Sequence, residues 1–114
     1  MAKRSNDNLY RLYRCVEVLR STGEREFPLQ LAATLLYAAS HDGCLQEELM
    51  EAISMSPSSV SRNVTWLGPR HRLGKEGLKL VRRERDTEDY KRWRLFLTPE
   101  GQQFARVLER ALTD

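Results

Sequence analysis

The chain has 114 residues, 40% of them hydrophobic, and a formal net charge of +3. That length fits one domain with a modest core and leaves no room for a second, catalytic domain. The longest uncharged apolar run, Phe27 to Ser40, is too short and too polar at its ends to span a membrane, and Met-Ala-Lys-Arg-Ser-Asn lacks the apolar core of a signal peptide, so a cytoplasmic chain without membrane partners is expected.

In chain order, Asn6 or Asp7 caps a first helix over residues 6–21, where Leu9, Leu12, Tyr13, Val16 and Leu19 recur at helical spacing until Gly23 stops it. Pro28 suits the first turn of a second helix that runs to Ser40. It carries Leu31, Leu35 and Leu36, and Ala32, Ala33, Ala38 and Ala39 allow close packing. After His41-Asp42-Gly43, a third helix from Leu45 to Ile53 buries Leu45, Leu49 and Ile53 and exposes Gln46, Glu47 and Glu48.

A turn at Ser54-Met55 leads into Ser56-Pro57-Ser58-Ser59-Val60-Ser61-Arg62. Ser56 is an N-cap, Pro57 has no amide hydrogen to lose at the first helical position, and the Ser59 hydroxyl stands where helix amides lack partners. Val60, Val64 and Leu67 form the core side of this fourth helix. Ser58, Ser61, Arg62 and Thr65 project from the other side, a small, polar, singly basic face that can approach base edges closely. The plainer alternative is a capped surface helix.

From Arg70 to Arg94 there are ten Lys/Arg against five Asp/Glu, so this segment is positive and the remainder is negative overall. Within it, Leu78 to Asp86 and Tyr90 to Thr98 read as two strands of a hairpin joined by Thr87-Glu88-Asp89. Alternation puts Trp93, Leu95 and Leu97 on a dry face and Arg92, Arg94 and Phe96 on a largely basic one. Thr98 caps a last helix over residues 99–112, with Pro99, Glu100 and Gly101 in its first turn and Phe104, Val107, Leu108 and Leu112 at helical spacing. The order predicts a mainly α chain with a β-hairpin wing, a winged helix-turn-helix occupying residues 1–114 as a single DNA-binding domain.

These segments resemble the multiple-antibiotic-resistance regulator (MarR) family. "SMSPSSVSRNVTWL" is similar to that family's recognition helix, and "RRERDTEDYKRWRLFLTPEG" to its wing and the start of the next helix. The family's wing pattern is Asp-x-Arg, three residues, an aliphatic residue, one more, then Leu-Thr; Asp89, Lys91, Leu95, Leu97 and Thr98 fall on it without a gap. Lysine replaces the arginine of that pattern, the join "GPRHRLGKEG" is longer than usual, and the chain stops one helix early.

The resemblance implies a homodimeric regulator of transcription, a repressor of double-stranded DNA targets. Ser58, Ser61, Arg62 and Thr65 would stand near bases in the major groove, Ser56 and Ser59 near phosphates, and Lys91 near the minor groove. Arg83, Arg85 and Arg92 of the hairpin and Arg70, Arg72 and Lys75 of the join complete the expected DNA-contacting set. A tolerated surface insertion is the alternative for the join. Dimerisation would use Leu9, Leu12, Tyr13 and Val16 with Phe104, Val107, Leu108 and Leu112; the alternative for these stripes is core within one chain.

His41 and His71 have no neighbouring ligand and read as surface residues, so no metal or cofactor is expected. Cys15 and Cys44 carry no disulfide or zinc spacing and read as reduced thiols; Cys15, beside Arg14, is a weak candidate for redox sensing, and a small-molecule effector has no signal. Trp66 and Trp93 read as packing rather than base-stacking residues. Without a phosphate loop, triad or acidic dyad, an enzyme is not expected. The competing reading is a winged-helix module whose basic hairpin docks onto an acidic protein.

Overall fold

The computed structural model of the chain describes residues 2–70 and 74–113, so the sequence expectations on His71 and Arg72 lie outside the described residues. Five helices and one hairpin follow the order α1 (Asp7–Arg20), α2 (Leu29–Ser40), α3 (Gln46–Ile53), α4 (Pro57–Leu67), β1 (Val81–Arg85), β2 (Trp93–Leu97) and α5 (Pro99–Thr113). This is a winged helix-turn-helix. Among the described residues no helix is long and apolar enough to cross a membrane.

Local chemistry decides the helix starts. Asn6 caps α1 by accepting the Leu9 amide at 3.0 Å. Pro28 lies at the N-cap of α2 instead of within its first turn, because its ψ of 145° is extended. Leu45 likewise stands outside α3: its amide is bonded by the Glu48 carboxylate at 3.1 Å, and its backbone pairs with Arg94 as an isolated bridge. Ser54 takes the left-handed conformation (φ 56°) that turns α3 into α4.

The core gathers on α2. Leu31 and Leu35 of α2 meet Leu49 of α3, Val60, Val64 and Leu67 of α4, and Val81 and Leu95 of the hairpin, all fully buried. Thr34, also fully buried, donates to the Gln30 carbonyl at 2.7 Å and accepts from Asn63 Nδ2 at 3.4 Å, which ties α2 to α4. Gln46, expected to be exposed, is half-buried. α1 packs chiefly along α5, and the molecule is elongated, 55 × 29 × 27 Å.

The hairpin is shorter than its sequence pattern. Lys79 has φ 60°, and the Leu78 and Leu80 amides turn to the Trp66 and Leu67 carbonyls at 2.9 and 2.8 Å, so the strand begins only at Val81. The register sets Val81 opposite Leu97, Arg83 opposite Leu95 and Arg85 opposite Trp93. Arg83 and Arg85 therefore share the face of Trp93, Leu95 and Leu97, which corrects the expected division into a dry face and a basic face. Only the root of that face, Val81 and Leu95, is buried. The α2–α3 turn adds an edge that the sequence did not announce: Gly43 donates to the Leu95 carbonyl at 2.8 Å and Leu95 to the Cys44 carbonyl at 2.9 Å.

Candidate nucleic-acid interface

The serines of α4 form a chain of hydroxyls. Ser56 Oγ accepts the Ser59 amide at 3.2 Å and lies 3.3 Å from Ser58 Oγ and 2.9 Å from Ser59 Oγ. Arg62 Nη2 donates to Ser59 Oγ at 3.1 Å, so the crowded first turn both caps the helix and lays the guanidinium along it. Ser58 and Arg62 are exposed, whereas Ser61 and Thr65 are half-buried. The outermost strip of the helix is thus Ser58 and Arg62.

The wing is held by one buried acid. Asp86 Oδ1 accepts from Arg94 Nε at 2.7 Å and Oδ2 from the Asp89 amide at 3.1 Å. The bond from Arg94 holds the Asp86 carboxyl below the usual carboxylate range, against the opposing effect of its burial. Asp89 in turn accepts the Lys91 amide at 3.1 Å, and the Asp86 amide closes on the Arg92 carbonyl at 2.9 Å. This turn presents Tyr90, Lys91 and Arg92 to solvent.

The cations of the wing do different things. Arg85 lies over the Trp93 ring at 3.8 Å and the Tyr90 ring at 5.0 Å, while Arg83 lies over Trp93 at 4.6 Å. Arg92 Nε pairs with Glu47 Oε1 of α3. Lys91 is exposed and makes no ion pair among the described residues. Trp93 is half-buried, and the groups packed over its ring are the guanidiniums of Arg83 and Arg85.

Two grooves flank α4. One, about 220 Å³, runs between α4 and β1 and brings Thr65, Arg70 and Arg83 together. The other, also about 220 Å³, separates the starts of α3 and α4 from the wing; Gln46, Pro57, Lys91 and Trp93 line it, and the Glu47–Arg92 pair crosses its rim. Arg70 and Lys75 are exposed on the join, which is closed by a bridge between Arg70 and Glu76. Sequence reasoning singled out neither Gln46 nor Glu47 as part of this surface, nor the Asp86–Arg94 pair. Asp86 and Arg94 stand eight positions apart across the hairpin turn, but the register sets Arg94 opposite Glu84, and Gln46 and Glu47 join the surface only through the fold.

The expected dimerisation residues divide. Leu9, Leu12, Tyr13, Val16, Val107 and Leu112 are exposed, whereas Phe104 is half-buried against the core and Leu108 is buried within the chain. Cys15 is half-buried with Sγ 3.8 Å from the Leu108 carbonyl. Cys44 is buried, which pushes its thiol pKa up. His41 is exposed and stacks on Tyr37 at 4.0 Å.

No family model matches the chain. No curated protein matches it either. Solved structures do: a MarR transcriptional regulator from Methanosarcina mazei superposes with a TM-score of 0.67 at 19% identity, over 92% of this chain and 68% of that one. The S. aureus MepR–DNA complex gives 0.69 at 20% identity, over 88% and 73%. Overoxidized AbfR bound to DNA gives 0.65 at 18% identity, over 93% and 71%. The fold is that of MarR-type regulators.

Proposed function

We propose that the chain is a sequence-specific regulator of transcription, a repressor, that binds double-stranded DNA in the cytoplasm as a homodimer, residues 1–114 acting as one winged-helix unit. The observation that carries this reading is the exposed strip of Ser58 and Arg62 on α4 beside a wing whose exposed Lys91 makes no ion pair among the described residues. A basic helix face and an adjacent basic hairpin match the shape and charge of a major groove with its neighbouring minor groove. Two of the solved structures that share the fold, MepR and AbfR, are bound to DNA.

In this reading Ser58, Arg62 and Thr65 face base edges, Ser61 contributes from the margin, and Ser56 and Ser59 hold Arg62 in place as well as lying near phosphate. Lys91 meets the minor groove, and Arg70 and Lys75 meet flanking phosphates with Arg83. Arg85 acts chiefly by bracing the wing through Trp93 and Tyr90. Leu9, Leu12, Tyr13 and Val16 on α1, with Val107 and Leu112 on α5, supply the dimer surface, since four exposed apolar side chains on one helix face are costly to leave in water.

Sedimentation with and without a selected duplex tests the reading. The expected result is a dimer on an inverted repeat with half-sites about one helical turn apart. Replacing the exposed Leu9, Leu12, Tyr13 and Val16 together by serine is expected to yield monomers that occupy single half-sites. A chain with no preference for duplex DNA over an acidic polypeptide would overturn the proposal in favour of protein docking.

A further inference from the structure

Glu47 is out of place on a surface built to meet phosphates. It sits in the first turn of α3, exposed, on the rim of the groove that also holds Lys91. Its neighbour Glu48 is committed to the Leu45 amide, whereas Glu47 reaches across to the wing and takes Arg92. Two adjacent wing cations therefore differ: Lys91 is free of ion pairs among the described residues and Arg92 is occupied.

The occupation is built into both elements. The Arg92 backbone is fixed at both ends, its amide bonded to the Asp89 carbonyl and its carbonyl to the Asp86 amide, each at 2.9 Å, so only its side chain can move. Glu47 is favoured where it stands by the positive end of α3. An exposed pair of this kind is weak in itself. Moving Arg92 to a phosphate, however, would leave a bare carboxylate facing the polyanion, so the exchange gains one attraction and creates one repulsion. The balance favours keeping the pair.

We propose that Glu47 is a latch that withholds Arg92 from the DNA backbone, so that the wing grips through Lys91 while a ready second cation is held in reserve. This inference rests on the proposed DNA-binding function and concerns how strongly that same site binds.

The test is the salt dependence of binding to a random duplex, measured for the wild-type chain, Glu47→Gln, Arg92→Gln and the double variant. A freed Arg92 adds one phosphate contact, worth about 0.9 in the slope of log K against log salt, so the affinity of Glu47→Gln is expected to fall about 3.5-fold more than that of the wild type between 50 and 200 mM salt. In the Arg92→Gln background, Glu47→Gln removes a repulsion but adds no contact, and the slope is expected to stay put. Equal slope changes in both backgrounds, or none in either, would overturn the latch while leaving DNA binding intact. Failure of the wild-type chain to bind duplex DNA would overturn the proposed function and the latch together.

Discussion

Arg94 joins Asp86 at 2.7 Å through Nε and the Gly43 carbonyl at 2.7 Å through Nη1, so one guanidinium links the wing turn to the α2–α3 connection. Gly43 and Cys44 also pair with Leu95 through the backbone. The wing is therefore braced against the body of the fold at its base and at its turn. The position of Lys91 follows from that bracing rather than from the hairpin alone.

This relationship makes wing order sensitive to acid. Because the folded Asp86 carboxyl titrates below its unfolded value of about 3.9, its stabilising contribution is present above that value and is lost as pH falls through the lowered one. Amide resonances of Asp89 and Lys91, which are bonded to this network, are expected to shift together in that acidic window in the wild-type chain. Asp86→Asn is expected to abolish the transition and to speed exchange of the same amides at neutral pH. Its affinity for random and specific duplexes is expected to fall together.

Gly101 offers a test of the packing between α5 and the hairpin. A Cβ there would lie 1.9 Å from the Leu80 carbonyl oxygen, a backbone atom that cannot swing aside. Alanine normally gains nearly 1 kcal/mol over glycine within a helix, but here the overlap forces the start of α5 away from β1. Gly101→Ala is expected to destabilise by about 1–3 kcal/mol, lowering Tm by roughly 5–10 °C in thermal unfolding followed by circular dichroism.

The elements that were legible in the sequence are those written by short-range rules. Asn6 and Ser56 mark their helix starts by chemistry that acts over three residues, and Val60, Val64 and Leu67 mark a buried face by period alone. What escaped depends on contacts distant in the chain. Leu45 shows an apolar residue at helical spacing, yet pairing with Arg94 draws it out of α3. The left-handed Lys79 shortens a run that alternates correctly, because the join must turn back onto Trp66 and Leu67. Phe104 and Leu108 share a period with Val107 and Leu112, and only the packing of α5 against α1, α2 and the hairpin separates the covered pair from the exposed one. In the candidate site, charge marked the basic segment but not its pairings, since Glu47 and Arg92 meet across 45 positions of sequence.

The recognition helix and the wing are expected to separate specificity from affinity. Arg62 is exposed on α4 and lies along the helix through Ser59; under the proposed function it meets a guanine edge, where a bidentate contact is worth about 1–3 kcal/mol of discrimination. Arg62→Ala is therefore expected to weaken operator binding most and to lower the operator-to-scrambled ratio by about 5- to 150-fold. Lys91 is a flexible point charge at the exposed wing turn, suited to phosphates and to the potential of a narrow groove. Lys91→Ala is expected to weaken operator and scrambled duplexes by similar factors and to reduce the log–log salt slope by about 0.9. Titrations of both variants against both duplexes at several salt concentrations distinguish the two roles. An operator-to-scrambled ratio left intact by Arg62→Ala would mean that α4 does not read bases, and the basic hairpin would then be better explained as a dock for an acidic protein.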